Sequence, residues 1–399
     1  MSKKLIALLL GIMLAGSVIY GCARVAEEGP RGSIEGYTIA ADGVTPIAGA
    51  RVWTTGSIYE TSTDTNGYFK LSAPPGTKNV YVQKGNFSAV LSSIIFIEGQ
   101  TTPVGDQDKK IYLDPNKAQP GIQVTIGKMA VVTGSWDRIQ DVLAKLGYGS
   151  ADATTGELIL GTEQFDLYDG DYTLNDASYK NFDALVTSPE AMSQYKVIFI
   201  NCGNDYESLL NDSTVVGNIK NFVNAGGSLY VTDLSYDFVE QVFPEFIDFY
   251  GSDATPAANP ETIDEAQVGT SGISVDATVL DDTLKTWLQG RGALNPSGTV
   301  SIAGFLSGWA VMNGVGSGTK SWIRGSVQYS GLSVTKQASR AAHSQSIILR
   351  ASTTGEKPLT ISFSYGSGKV LYSSYHTQED PSPTLRPQEY ILAYLVFEM

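Results

Sequence analysis

Between residues 32 and 115 apolar positions alternate with polar ones over short stretches separated by turn residues. In NVYVQK, Val80 and Val82 share one face while Tyr81 and Gln83 take the other, the period of a strand. GSIEGYTIA, ARVWTT, ETSTD, YFKL, SIIFIEG and KKIYLDP read the same way, with breaks at Asp42-Gly43, Thr65-Asn66-Gly67 and Pro74-Pro75-Gly76. Such a run of short, punctuated strands predicts a β-sandwich. From residue 121 the period lengthens. A strand at Lys128–Gly134 precedes a helix opened by Ser135, with Trp136, Ile139, Leu143 and Leu146 on one stripe. QFDLYD reads as a second strand, and KVIFINC (196–202) is apolar almost throughout, as a strand buried on both faces would be. Asp212 or Ser213 caps a helix whose inner face is Val215, Ile219, Phe222 and Val223, ended by Gly226-Gly227. SLYVTD (228–233) is a further strand, and YDFVEQVF a helix that Pro244 stops. PLTISFSYGSGKVLYSSYH reads as a hairpin around Gly366 and Gly368, and Pro387 starts a closing helix. Strand–helix alternation predicts a parallel sheet with helices on both faces, built from residues 121–251 and 357–399. Residues 252–356, rich in Gly, Ser, Thr and Asp, are far too long for a loop and predict a β-rich insertion with one helix near DDTLKTWLQ.

Composition then narrows the classes. The 399 residues carry 27 Lys+Arg against 41 Asp+Glu, a formal charge of −14. That balance argues against gripping phosphate backbones, so no nucleic-acid partner is expected. With only 2 Cys and 2 His, a four-ligand Cys/His zinc site is not expected either. The low charge content (17%), 42 Gly and 21 Tyr suit a β-rich, exported chain.

Lys3 and Lys4 precede an apolar run over residues 5–20 that is too short for a comfortable membrane span and has signal-peptide layout. It ends Ile19-Tyr20-Gly21-Cys22, which resembles the bacterial lipoprotein box, with Tyr20 departing from the usual small residue. The resemblance implies cleavage after Gly21 and lipid on Cys22. Residues 1–21 would then be the signal peptide, 22–31 a tether and the membrane a partner. The expected location is the bacterial cell envelope, periplasmic or surface-exposed. Ala23-Arg24 carries no inner-membrane retention acid, which leans the address to the outer membrane. The apolar closing helix is read as buried against the sheet, since spanning needs about 20 residues.

Two further resemblances are specific. Residues 32–115, through Pro46-Ile47-Ala48-Gly49-Ala50-Arg51-Val52 and Thr63-Asp64-Thr65-Asn66-Gly67-Tyr68-Phe69, look like the carboxypeptidase regulatory-like domain. That resemblance implies a transthyretin-like accessory fold without catalytic residues. Asp64-Thr65-Asn66-Gly67 could pass for half a calcium loop, but no late bidentate acid follows, and a hairpin turn is the expectation. The later part resembles the class I glutamine-amidotransferase-like superfamily, especially its trehalose-utilisation (ThuA-like) branch. The residues that carry this are Tyr195–Gly203, Phe222–Asp233 and Tyr365–Val370 with His376. It implies a flavodoxin-like α/β fold more strongly than any activity.

In open α/β sheets ligands bind beyond the carboxyl ends of the strands. Those ends present Ser135, then Cys202-Gly203-Asn204-Asp205, then Asp233-Leu234-Ser235, then Tyr375-His376. Ser135, Asn204, Asp205 and Asp233 are the candidate cleft polar groups. The family nucleophile is a cysteine on a glycine-flanked elbow. Here the elbow falls at Asp233–Ser235, without cysteine or flanking glycines, and the late His-x-Glu is spaced His376-x-x-Glu379. A hydrolase would use Ser235 as nucleophile, His376 as base and Glu379 or Asp380 to orient it, or a carboxylate pair among Asp205, Asp233 and Glu379. An oxygen-rich metal site at Asp205, Asp233, His376 and Glu379 has no compact motif, so neither metal nor cofactor is expected. Cys202 reads as a small buried hydrophobe and His343 as a surface residue of the insertion. Trp136 reads as core. Trp309 and Trp322, near glycines, are the candidates for stacking on a ligand such as a sugar. The sequence thus favours a binding or structural lipoprotein module with a non-catalytic amidotransferase-like domain, its ligand a glycan or an envelope protein. The alternative is an envelope hydrolase.

Overall fold

The computed structural model describes residues 29–56, 58–171, 174, 178–203, 206–251, 254–306, 308–333, 353–376 and 382–399. Cys22, Asn204, Asp205, His343 and Glu379 lie outside the described residues. The protein is a mixed α/β molecule dominated by strands in several sheets.

The first strands form two sheets. In the smaller, β1 (Gly32–Ile39) pairs antiparallel with β4 (Tyr68–Ala73) and parallel with β7 (Thr101–Pro103) and β8 (Lys110–Tyr112). The larger is antiparallel throughout, in the order β3 (Glu60–Ser62), β2 (Arg51–Thr54), β5 (Gly76–Lys84), β6 (Phe87–Phe96), β9 (Ile122–Ile126). Alternate residues point inward, so Ile34 and Leu71 of one sheet meet Val52, Val82 and Leu91 of the other in one core. The Asp64–Gly67 segment is the expected turn: the Asp64 carboxylate accepts from the N–H groups of Asn66 (2.8 Å) and Tyr68 (3.0 Å), and Gly67 takes φ 76°. Ile122–Ile126 falls in the stretch expected to open the α/β part. It is bonded to β6 instead, because its alternating burial suits an antiparallel edge strand.

Among the described residues the central sheet has 12 strands. Its parallel portion runs β12 (Lys180–Asn181), β11 (Asp166–Asp169), β10 (Met129–Val132), β13 (Val197–Ile200), β14 (Ser228–Thr232), β23 (Gly368–Ser373). Strands β10, β13 and β14 are buried on both faces, as the apolar run of β13 predicted for that strand. On one face Val131, Phe199, Tyr230 and Leu371 pack against α1 (Ile139–Lys145) and α7 (Pro387–Leu395). On the other, Ile198, Ile200, Leu229 and Val231 pack against α4 (Ser213–Asn224). Asp212 caps α4 by accepting from the Thr214 N–H at 2.8 Å, and Ala225–Gly227 end it. Helices α2 (Phe182–Val186) and α3 (Pro189–Met192) lead into β13, and α5 (Asp237–Glu240) follows β14.

Described strands between residues 267 and 365 lengthen this sheet. The antiparallel strands β22 (Thr353–Tyr365), β21 (Lys320–Ser333), β16 (Gln267–Gly269) and β19 (Ala310–Val311) continue from β23. β17 (Val275–Val279) joins β21 and β18 (Val300–Ile302), while β15 (Ile247–Asp248) pairs separately with β20 (Gly314–Val315). The helix near DDTLKTWLQ is α6 (Asp282–Gly290), capped by Asp281. Among the described residues no helix is long and apolar enough to cross a membrane.

One core links the paired sheets to the α/β part. Phe87 of β6 meets Phe397 at 4.7 Å and Tyr148 at 5.3 Å between ring centroids. Lys84 pairs with Glu398 at 2.5 Å, and the Trp287 indole N–H donates to the Pro46 carbonyl at 2.9 Å. Phe87→Ala should therefore cost about 3–5 kcal/mol and lower one cooperative transition. A calorimetric scan in which only a separable minor transition moved would show that the paired sheets unfold on their own.

Candidate functional site

The carboxyl ends of β10, β13, β14 and β23 converge as the parallel order requires. Gly134 follows β10, and a side chain there would collide with the Cys202 carbonyl, so glycine lets the two strand ends touch. Past it Ser135 and Trp136 are exposed, Trp136 at 47%, and the Trp136 N–H donates to the Cys202 carbonyl at 3.2 Å. This corrects the core reading of Trp136. The helix starts only at Ile139, so the non-helical bend before it carries the indole out to solvent.

At the end of β14 Asp233 has φ 38°, in the left-handed region that non-glycine residues avoid, and leads into a short 3-10 turn. The strained elbow thus falls on Asp233. Its side chain is fully buried and divided between two tasks. One oxygen accepts from the Ala310 N–H at 2.9 Å, tying the elbow to β19, and the other lies 3.0 Å from His376 Nε2 and 3.8 Å from Cys202 Sγ. Cys202, Asp233 and His376 are all at most 1% exposed, and their donor atoms lie within 4.8 Å of one another.

Ser235 is buried as well. Its hydroxyl donates to the Asn201 carbonyl at 2.9 Å, lies 3.0 Å from the Tyr206 hydroxyl and accepts from the Gly203 N–H at 3.3 Å. The Tyr206 hydroxyl also bonds the Asn201 carbonyl. Burial raises the Tyr206 pKa well above the ordinary phenol value. The expected nucleophile is therefore a brace between β13 and the elbow. Of the expected catalytic set, Ser235 and His376 come into this region from neighbouring strand ends.

The elbow continues into a buried acidic segment that holds the inserted strands. Asp237 accepts from the Asp264 N–H at 3.3 Å. Asp248 accepts from the Asn313 side chain at 2.7 Å, and Asn313 in turn accepts from the Lys357 ammonium at 2.9 Å. Burial, with the charges of Asp237, Glu261 and Asp248, pushes the Glu240 carboxyl up to about 9. Elsewhere, burial pushes Asp141 on α1 up to about 6.

Trp309 and Trp322, expected to stack on ligand, are core residues. Trp309 is fully buried, lies over Gly269 and against Phe305, and donates to the Thr270 carbonyl at 3.1 Å. Trp322 donates to the Ser362 hydroxyl at 2.9 Å. The glycine nearby makes room for an indole against the backbone, so glycine–tryptophan proximity marks packing here. Trp53 stacks on Tyr81 at 5.5 Å, with Arg51 4.6 Å above its ring.

What sequence reasoning missed is the grouping of Cys202 with Asp233 and His376. The available signal was that each stands at or just past the carboxyl end of a predicted strand; which strands lie side by side comes from the fold.

No family model matches the chain, and no curated protein matches it. Among solved structures it is similar to Cytoplasmic Protein STM3548 from Salmonella typhimurium, at 12% identity and TM-score 0.35 over 67% of this chain and 97% of that one. It is also similar to Cytoplasmic Protein STM1381 from Salmonella typhimurium LT2, at 14% identity and TM-score 0.30 over 68% of this chain and 96% of that one. A catalytic mutant of Gan42B, a GH42 beta-galactosidase from G. stearothermophilus, follows at 9% identity and TM-score 0.28, over 68% of this chain and 29% of that one. At these TM-scores the likenesses carry no argument about activity.

Proposed function

We propose that the chain is a lipid-anchored envelope lipoprotein that works as a binding or structural module, with a transthyretin-like sandwich next to the anchor and a non-catalytic, amidotransferase-like α/β part beyond it. The strand order β11-β10-β13-β14-β23 is the 2-1-3-4-5 order of flavodoxin-like sheets, which supports that reading of the α/β part. One observation carries the loss of catalysis. The elbow residue is Asp233, fully buried and bonded to the roofing strand at Ala310, and the neighbouring Ser235 hydroxyl is held by the Asn201 carbonyl. A hydrolase needs a nucleophile that substrate can reach. Ligand is left to the rim, where exposed Trp136 beside Ser135 offers an apolar ring face suited to a sugar or to an envelope protein.

Two measurements test this. Cys22→Ser should move the protein from the membrane fraction to the soluble fraction and abolish labelling by a fatty-acid probe. Protein beginning at Ala23 should leave ester, amide and glycan substrates intact. Turnover that Ser235→Ala abolishes would establish the hydrolase in its place.

A further inference from the structure

We propose that Cys202, Asp233 and His376 form a buried zinc site that joins the ends of β13, β14 and β23. This inference does not depend on the lipoprotein reading.

The distances fit. Zinc binds thiolate at about 2.3 Å, imidazole nitrogen at about 2.0–2.1 Å and carboxylate oxygen at about 2.0–2.2 Å. Around a tetrahedral ion those lengths put sulfur about 3.6 Å from oxygen, and nitrogen about 3.4 Å from oxygen. The observed separations are 3.8 Å for Cys202 Sγ to Asp233 Oδ2 and 3.0 Å for His376 Nε2 to the same oxygen. Two of the three separations thus lie within a few tenths of an ångström of those values, and the third, sulfur to imidazole, is no more than 4.8 Å.

The supports fit as well. Metal ligands are held by the bonds their other atoms make. The second Asp233 oxygen is occupied by the Ala310 N–H, which leaves Oδ2 to face the sulfur and the imidazole. The Asp233 carbonyl accepts from the Tyr372 hydroxyl at 3.0 Å, and the Cys202 N–H donates to the Thr232 hydroxyl at 2.9 Å. The His376 carbonyl accepts from the Gln388 side chain at 3.4 Å. The positive φ of Asp233 is the conformational cost of aiming that carboxylate inward.

Charge selects the ion. A thiolate, a carboxylate and a neutral imidazole carry −2 together, which a divalent cation balances, so the filled site is neutral inside a core that penalises net charge. Binding releases the thiol proton to solvent as the sulfur–metal bond forms, and nothing is oxidised or reduced. One sulfur and one nitrogen among three donors favour zinc over calcium or magnesium. Water takes the fourth position.

The test uses the full chain carrying Cys22→Ser, so that Cys202 is its only thiol. The chain is stripped with chelator and titrated with cobalt(II) and then zinc. The expected result is one equivalent per chain, a thiolate-to-cobalt charge-transfer band that zinc displaces, and a melting temperature that rises with free zinc. Cys202→Ala and His376→Ala should each weaken binding by more than the 10–100-fold that loss of a supporting group costs. Absence of the band in the Cys22→Ser chain, or stoichiometric zinc uptake without it, overturns the proposal. Because that readout needs no further substitution, it holds even if Cys202→Ala or His376→Ala fails to fold.

Discussion

Glu240→Gln should make the protein more stable at pH 8, by on the order of 3 kcal/mol, while changing little near pH 4.5. Burial and the charges of Asp237, Glu261 and Asp248 hold the Glu240 carboxyl up at about 9, against 4.5 for an ordinary glutamate. Between those values the folded protein keeps a proton that the unfolded chain has released. The contribution is fully present below about 4.5 and is lost as pH rises toward 9, so stability falls across that window. Glutamine keeps the size and an acceptor oxygen but cannot ionise, which removes that slope. Denaturant titrations of both proteins at pH 5, 7 and 9 measure it. A difference that stays constant across the three would mean that Glu240 does not titrate between its folded and unfolded environments.

Lys145→Met should cost roughly 3–5 kcal/mol, while the double replacement Lys145→Met with Glu389→Gln should restore most of it. The ammonium of Lys145 on α1 lies 2.7 Å from Glu389 on α7, with side chains 3% and 0% exposed. Removing the lysine leaves the buried carboxylate only the Arg386 guanidinium, whose Nε lies 3.7 Å away, and an under-paired charge in the core is much costlier than having neither charge. Glutamine at 389 keeps an oxygen for the Arg386 N–H, which Glu389 caps at 2.6 Å, so the helix start survives. Equal losses in the single and double variants would show that the pair acts through packing and not through charge.

How much of this was legible before the structure depended on range. The α4 helix could be read because its signals are local: a capping Asp212, four apolar residues at helical spacing and Gly226-Gly227. β13 announced itself as an unbroken apolar run, which only a sheet covered on both faces tolerates. Ile122–Ile126 misled because an edge strand beside a change of architecture carries no mark of which sheet it will join. The tryptophans misled for a related reason, since Gly269 receives Trp309 from 40 residues away. The site was half legible. Asp233 and His376 stood at predicted strand ends, whereas Cys202 looked like one more apolar residue at the end of an apolar strand. Its meaning comes from β13 and β14 lying side by side and β23 arriving next to β14 from far along the chain. Neither residue spacing nor composition encodes that adjacency.

That late arrival also sets a timetable. Ser228 is registered with Lys369 and Thr232 with Ser373, so β14 has its open edge closed by a strand separated from it by more than a hundred residues. The loop that must be gathered first is long, and partners so far apart make folding slow. A chain emerging in order would display the apolar flank of β14 until β23 and α7 follow, a period in which its unpaired edge could recruit a neighbouring molecule. Holdase chaperones would have their greatest effect on yield during that interval, and truncation before β23 should convert a foldable protein into an aggregating one.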